Sequence, residues 1–391
     1  MMNIAFFTDT YLPNRDGVVT CLLNLKEQYE KEGHKVFVFT SGTKEDKKNN
    51  KDPSVYYHSS LKFPPYPDYK VAVLPFFSVS KLRENKIDII HSHALATMGV
   101  AAFVGAKKMK IPCVETFHTK VSQGTHYLTN NEKLQKMGED VVWKYLRWFS
   151  SQFDTVTCPS ENTKEMLSVN GIKAEVYPNS VDIHRFIPMS MASEERRKIF
   201  LLKQKEYVEK YKINKNTMIF VSRIVKEKNI DLAIKSMPHI LKQIEDARLI
   251  IGGRGPDEEN LKKLVKELGV EKSVIFTGFI PSEDLPMLYS TVSAFAFPSG
   301  MFETHGLVAL EALACGLPVV GIKNSAVAEM INEKTGETAN SDPENFAEAC
   351  IKLLKNVDQY TETRKFAEKF SNEKISKRFL DMYARLIEAK T

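Results

Sequence analysis

The sequence predicts an α/β protein built from two doubly wound, Rossmann-like domains that face each other across a cleft. Three observations carry that expectation. A chain of 391 residues is longer than one ordinary hydrophobic core organises. Strand and helix signals alternate from the first residues, as in a parallel sheet covered on both faces. The alternation then halts at a charged helical stretch, residues 193–211, and begins again.

In the first half, apolar β-branched and aromatic runs place strands at 4–7, 35–39, 87–90, 111–115, 155–158 and 174–177. Helical periodicity fills 18–32, ending at Gly33, and a stretch around 98–108. The second half repeats the scheme, with strands at 218–222, 248–252, 274–277, 294–297 and 318–321 and helices at 231–243 and 257–268. A short apolar helix is expected over 307–314, with Gly316 and Pro318 as stop signals. The tail, 371–389, sets Ile375, Phe379, Met382, Tyr383 and Leu386 at helical spacing. The expected domains are therefore 1–185 and 186–370.

Composition narrows the function classes. Hydrophobic residues at 43% and charged residues at 27% suit a globular protein. The net charge of +6 comes without a stripe of interleaved arginines and aromatics, so a nucleic-acid partner is not expected. Five scattered cysteines without Cys-x-x-Cys spacing read as buried thiols in a reducing compartment. The opening reads as a first strand rather than a signal peptide, and no uncharged run reaches membrane-spanning length. A cytoplasmic location is expected, with peripheral attachment to the inner face of the cell membrane as an open addition.

The chemistry-bearing residues cluster after strands, where ligands of such sheets bind. Glu303 and Glu311 stand eight residues apart around the start of the 307–314 helix. At 1.5 Å rise per residue their carboxylates lie within roughly 12 Å, a span that suits a ribose and a sugar joined by a diphosphate. The amides of Thr304, His305 and Gly306, leading into Leu307, are expected to be unpaired and to receive a phosphate. Arg223 and Lys228 follow the first strand of the second half and suit the same diphosphate, one as a fork and one as a point charge. Gly253 lies in a Gly-Gly-Arg-Gly turn that lets a ligand approach backbone closely, and Phe279, in a third such turn, is placed to hold a flat base.

In the first half, Gly17 follows Asp16 at a second anion-receptive helix start. His118 ends a strand where an imidazole can meet substrate, though a structural histidine is the alternative. His91 and His93 could share a strand face as a metal pair, but no acid or cysteine cluster completes a ligand set, so no metal is expected.

Taken together these positions resemble the retaining glycosyltransferases of the GT-B fold, specifically glycosyltransferase family 4. The likeness runs through the opening Thr8-Asp-Thr-Tyr-Leu-Pro-Asn-Arg-Asp-Gly-Val-Val19 and Tyr177-Pro-Asn-Ser-Val-Asp182. It continues through Ser222 to Lys228 and the Glu303-x7-Glu311 motif. The resemblance implies that Gly17 offers its amide to the diphosphate or sugar and that His118 contacts the transferred sugar. It gives Arg223 and Lys228 to the leaving diphosphate, Glu303 to the sugar hydroxyls and Glu311 to the ribose. A nucleotide-sugar donor, no cofactor, no metal and retention by same-face attack are implied as well. The helix at 371–391 is expected to pack back on the first domain. Ser180 departs from the usual glycine, His305 from the usual residue, and Asp16-Gly17 keeps one of two common glycines.

The acceptor is read from the first half. Lys136 to Phe153 carries Trp143, Lys144, Arg147 and Trp148, a basic and aromatic helix suited to an anionic membrane interface or, alternatively, a helix with an ordinary core face. Aromatics at 62–70 and 74–77 add to this, and Asp9 is placed with the acceptor-side residues. Asp16 to Thr20 and Thr116 to Thr119 resemble the subgroup that glycosylates diacylglycerol-type lipids. The expected activity is hexosyl transfer, from UDP-glucose as first candidate, to a glycerolipid. A soluble acceptor such as a sugar phosphate or polyol, and a binding protein without turnover, are the alternatives.

Overall fold

The computed structural model describes residues 1–14, 16–63, 66–72, 78–118, 132–300 and 302–390. The aromatic stretch 74–77, all of the 62–70 segment's side chains and Thr119 lie outside the described residues. The chain divides into two compact units, Met1–Ser180 with Asn372–Thr391, and Val181–Ser371.

The first unit opens with β1 (Asn3–Thr8), α1 (Gly17–Lys31), β2 (Lys35–Gly42), α2 (Lys44–Asn49), β3 (Val55–Phe63), β4 (Tyr66–Ala72) and α3 (Ser78–Glu84). It continues through β5 (Ile89–Ser92), α4 (Thr97–Met109), β6 (Cys113–Thr116), α5 (Glu132–Ser150), β7 (Thr155–Cys158), α6 (Glu161–Val169) and β8 (Glu175–Val176). The strands form one sheet in the order β4-β3-β2-β1-β5-β6-β7-β8. All pairs are parallel except β3 with β4, which run antiparallel. Ile4, Ala5, Phe6 and Phe7 of β1 are all fully buried, which is why that strand reads as an unbroken apolar run. Strands β3 and β4 escaped the sequence reading; β4 lies at the sheet edge, where apolar alternation is not required, and β3 is its antiparallel neighbour.

The second unit holds α7 (Glu194–Tyr211), β9 (Thr217–Val221), α8 (Ile230–Leu241), β10 (Arg248–Gly252), α9 (Glu258–Glu267), β11 (Val274–Gly278), α10 (Leu285–Tyr289) and β12 (Ala294–Phe297). Then come α11 (Leu307–Ala314), β13 (Val319–Ile322), β14 (Gly336–Ala339), α12 (Pro343–Lys355) and α13 (Thr363–Ala367). Its sheet is parallel throughout, in the order β11-β10-β9-β12-β13-β14. Strand order reverses at β9, so the loops after β9, β10 and β12 collect at one edge, where ligands of doubly wound sheets bind.

The last helix, α14 (Asn372–Glu388), belongs to the first unit. Ile375, Phe379, Met382 and Tyr383 form its buried stripe. Tyr383 meets Tyr29 of α1 edge-on at 6.0 Å, and Arg378 donates to the Val176 carbonyl at 2.9 Å.

Candidate functional site

In the second unit, the entry to α11 is organised by Glu303. Its Oε1 accepts from the amides of Gly306 at 3.0 Å and His305 at 3.4 Å, and its Oε2 accepts from Lys228 Nζ at 2.8 Å. The amides of His305 and Gly306 are therefore not available as expected from sequence: the carboxylate two and three residues before them folds back and engages both. The donors that open α11 without an intrahelical acceptor are Leu307 and Val308, so the anion-receptive point lies further along the chain. Burial raises the Glu303 pKa, but the Lys228 ammonium and the two amides outweigh it and hold the carboxyl below its ordinary value.

Gly306 makes this fold-back possible. It sits at φ +90, and a Cβ there would lie 2.5 Å from Val327 Cγ2, so only glycine fits. His305 is buried against Phe370, with Nδ1 lacking a partner among the described residues. Burial pushes its pKa down to about 4, so the ring is neutral.

Glu311 is buried one turn inside α11 and engages no hydrogen-bond partner among the described residues. Burial raises its pKa to about 8, tempered by the guanidinium of Arg185. Arg185 itself donates to the Ser282 carbonyl at 2.8 Å, tying the segment after β8 to the loop after β11. Nothing in the local sequence pattern singles out Arg185, because its role depends on that distant carbonyl. At the far end of α11, Arg364 donates to the carbonyls of Ala314, Phe186 and Ile183 at 2.9, 2.6 and 2.8 Å, the first of them an orphan acceptor of the helix end.

Arg223 is exposed just after β9 and forms no ion pair among the described residues. Gly253 is held at φ +127 with its amide donated to the Gly278 carbonyl at 2.8 Å. A Cβ there would lie 1.8 Å from the Ser222 carbonyl oxygen, so the close backbone approach at this glycine is to Ser222 of the neighbouring loop. Phe279 is 69% exposed, an unusual state for a phenylalanine, beside the same loop.

In the first unit, Asp16 caps α1 by accepting from the Val19 amide at 2.9 Å, and Gly17 occupies the first helical position with nothing within 4 Å of a Cβ built there. Asp9 turns to α4: one carboxylate oxygen accepts from the Ala96 amide at 3.1 Å, and the other is buried without a partner. Burial raises its pKa to about 6, against the pull of the Ala96 amide. This places Asp9 as a helix cap, a structural duty that the sequence reading did not give it.

His118 follows Phe117 at the end of β6, with Nε2 2.8 Å from Nδ1 of His93. His91, weighed with His93 as a metal pair and set aside on sequence grounds, has both nitrogens engaged, by Tyr383 at 2.5 Å and Thr116 at 2.6 Å. Nearby Glu115 is fully buried, with Ser150 close but outside bonding geometry, and burial raises its pKa to about 8.

Helix α5 separates the two tryptophans. Trp143 packs on the cluster around Phe117 and Leu146, so the membrane role expected of it gives way to a core role. Trp148 is 51% exposed, in line with Met137 and Val141 (each 64%) and Tyr145, while Lys144 and Arg147 flank them in solvent. Among the described residues no helix is long and apolar enough to cross a membrane.

Comparison with known proteins adds to this geometry. Residues 203–370 match the model for glycosyl transferases group 1, and residues 15–185 match that for glycosyltransferase family 4. An alpha-monoglucosyldiacylglycerol synthase of Streptococcus pneumoniae is 31% identical over 98% of this chain and 85% of its own length. The enzyme of that name from Acholeplasma laidlawii is 30% identical over 82% of this chain and 80% of its own. Sucrose-phosphate synthase from Thermosynechococcus elongatus superposes with a TM-score of 0.77 at 19% identity, covering 100% of both chains, a likeness of fold. The chain belongs to the group 1/family 4 glycosyltransferases and is a glycosyltransferase of the GT-B fold.

Proposed function

We propose that the enzyme moves a hexose, glucose from UDP-glucose being the first candidate, to a diacylglycerol-type glycerolipid at an anionic membrane surface. The observation that carries the acceptor reading is the exposed apolar line on α5, Met137, Val141, Tyr145 and Trp148, edged by Lys144 and Arg147. A basic and apolar helix face of this kind suits the headgroup region of an anionic bilayer. The two relatives named as diacylglycerol glycolipid synthases support it.

For the donor, Arg223 and Lys228 would balance the diphosphate, with the amides of Leu307 and Val308 aimed at the same charge. Glu303, fixed by three donors, would take sugar hydroxyls with its remaining lone pairs. Glu311, protonated at neutral pH, can both donate and accept toward ribose hydroxyls. Phe279 would stack on the base. Gly17 and His118 would serve the transferred sugar. The leaving phosphate accepts the acceptor's proton, and retention follows from attack on the face it leaves. Arginine, lysine and amide dipoles supply the charge balance, so the reaction needs no metal. A panel of nucleotide sugars assayed with and without vesicles of phosphatidylglycerol and diacylglycerol tests the reading. Turnover that is indifferent to vesicles would assign a soluble acceptor instead.

A further inference from the structure

We infer that His93 is a positioning residue, whose Nδ1–H donates to Nε2 of His118 and so fixes the ring and tautomer of that histidine. This rests on the reading of His118 as a group that meets the transferred sugar.

The contact is 2.8 Å between two imidazole nitrogens, with the rings stacked at 5.1 Å and 23°. Such a contact needs one N–H and one lone pair. The direction is set by the far side of His93. Among the described residues its Nε2 is buried with no partner, and its ring meets that of Phe6 at 5.2 Å, close to perpendicular. A proton on Nε2 would be a buried donor with no acceptor, while Nδ1 drew its hydrogen from His118. With the proton on Nδ1, the donor is used and only a lone pair is left without a partner among the described residues. The second arrangement avoids an orphaned N–H. Burial, with His91 and His118 adding to it, pushes the His93 pKa well below the ordinary range, so a second proton on the ring is disfavoured.

His93 is itself held. His91 lies 4.0 Å from it, ring to ring, and His91 is pinned by Tyr383 of α14 on one nitrogen and Thr116 on the other. Thr116 is bonded in turn to Thr157 of β7 at 2.6 Å. A continuous ladder within the first unit thus runs from the C-terminal helix to His118. Its sequence trace is the pair of histidines two apart at the end of β5, a spacing that suggests a metal and is used here for a ring contact between two hydrogen-bonded histidines.

The direct test labels the full-length protein with 15N-histidine and reads tautomers from long-range proton–nitrogen correlations, with His118→Gln assigning the resonance. The expected wild-type state of His118 carries its proton on Nδ1. It should shift toward the Nε2–H form in His93→Leu and stay on Nδ1 in His93→Asn, whose amide N–H falls near the same place. With UDP-glucose and diacylglycerol vesicles, His93→Leu should lower kcat by about 10- to 50-fold and leave the donor KM within about two-fold, whereas His93→Asn should recover most of the loss. In a His118→Ala background His93→Leu should cost nothing further. A wild-type His118 protonated on Nε2, or losses that multiply in the double variant, would overturn the positioning role. Turnover that survives His118→Ala would instead overturn the reading of His118 itself.

Discussion

Glu303 holds the second unit's site together because three donors converge on one carboxylate. Lys228 is within 2.8 Å and two amides bind the other oxygen. Glu303→Gln keeps an acceptor for the amides but removes the charge that orients Lys228. It is expected to lower kcat by about 100-fold, equivalent to about 2.7 kcal/mol, with thermal stability little changed; steady-state kinetics and a melting curve check both. Glu311 behaves differently, since with a pKa near 8 it is already neutral at pH 7. Glu311→Gln should hold donor affinity within about five-fold, and Glu311→Leu should lose more than that, read by titration with UDP. Glu115 carries the clearest pH signature. Folded, it keeps its proton up to about pH 8, whereas an unfolded carboxyl ionises near its ordinary 4.5. Between those values the unfolded state binds fewer protons, so stability falls as pH rises and levels off beyond pH 8. Glu115→Gln should therefore be more stable than wild type at pH 8, by on the order of a few kcal/mol, and equally stable near pH 4, as read from denaturation curves. The Glu303 and Glu311 pair was legible in the sequence because its spacing around a helix start is local. The fold-back of Glu303 onto its own amides was not, because it depends on the positive φ of Gly306.

At the scale of elements, α5 was legible as a helix but not as a face. Trp143 and Trp148 are five residues apart, which at 100° per residue puts them about 140° apart around the helix, so one turned inward and the other outward. The line that shares an outward face is Met137, Val141, Tyr145 and Trp148, at spacings of four, four and three. Replacing Met137, Val141 and Trp148 together with serine removes three apolar groups, each contributing up to about 1.5–3 kcal/mol when fully buried. Binding to phosphatidylglycerol vesicles should weaken at least about ten-fold by cosedimentation, with the fold intact by circular dichroism. Trp143→Ala should do the reverse, lowering stability and sparing vesicle binding. The edge strands β4 and β14 were hidden for a related reason: an edge strand has one neighbour and tolerates the polar runs that a central strand cannot.

For the molecule as a whole, the alternation of strands and helices was enough to foresee two parallel sheets, because each buried strand must be apolar on both faces. The return of the C-terminal helix to the first unit was foreseen only through the family resemblance, since its stripe says that it is covered and not by what. Its buried partners are Tyr29, His91 and Tyr177 of the first unit. If arginine, lysine and helix amides supply the charge balance, a chelator should leave turnover within about two-fold; a strict requirement for divalent metal would point to different chemistry. The measurement that bears most directly on the central claim is UDP release from UDP-glucose, with and without vesicles of phosphatidylglycerol and diacylglycerol. Release that depends on the lipid and yields a glucosyl-diacylglycerol with retained configuration is the expected result. Equal release without lipid, or no use of UDP-glucose while another nucleotide sugar is consumed, would contradict it.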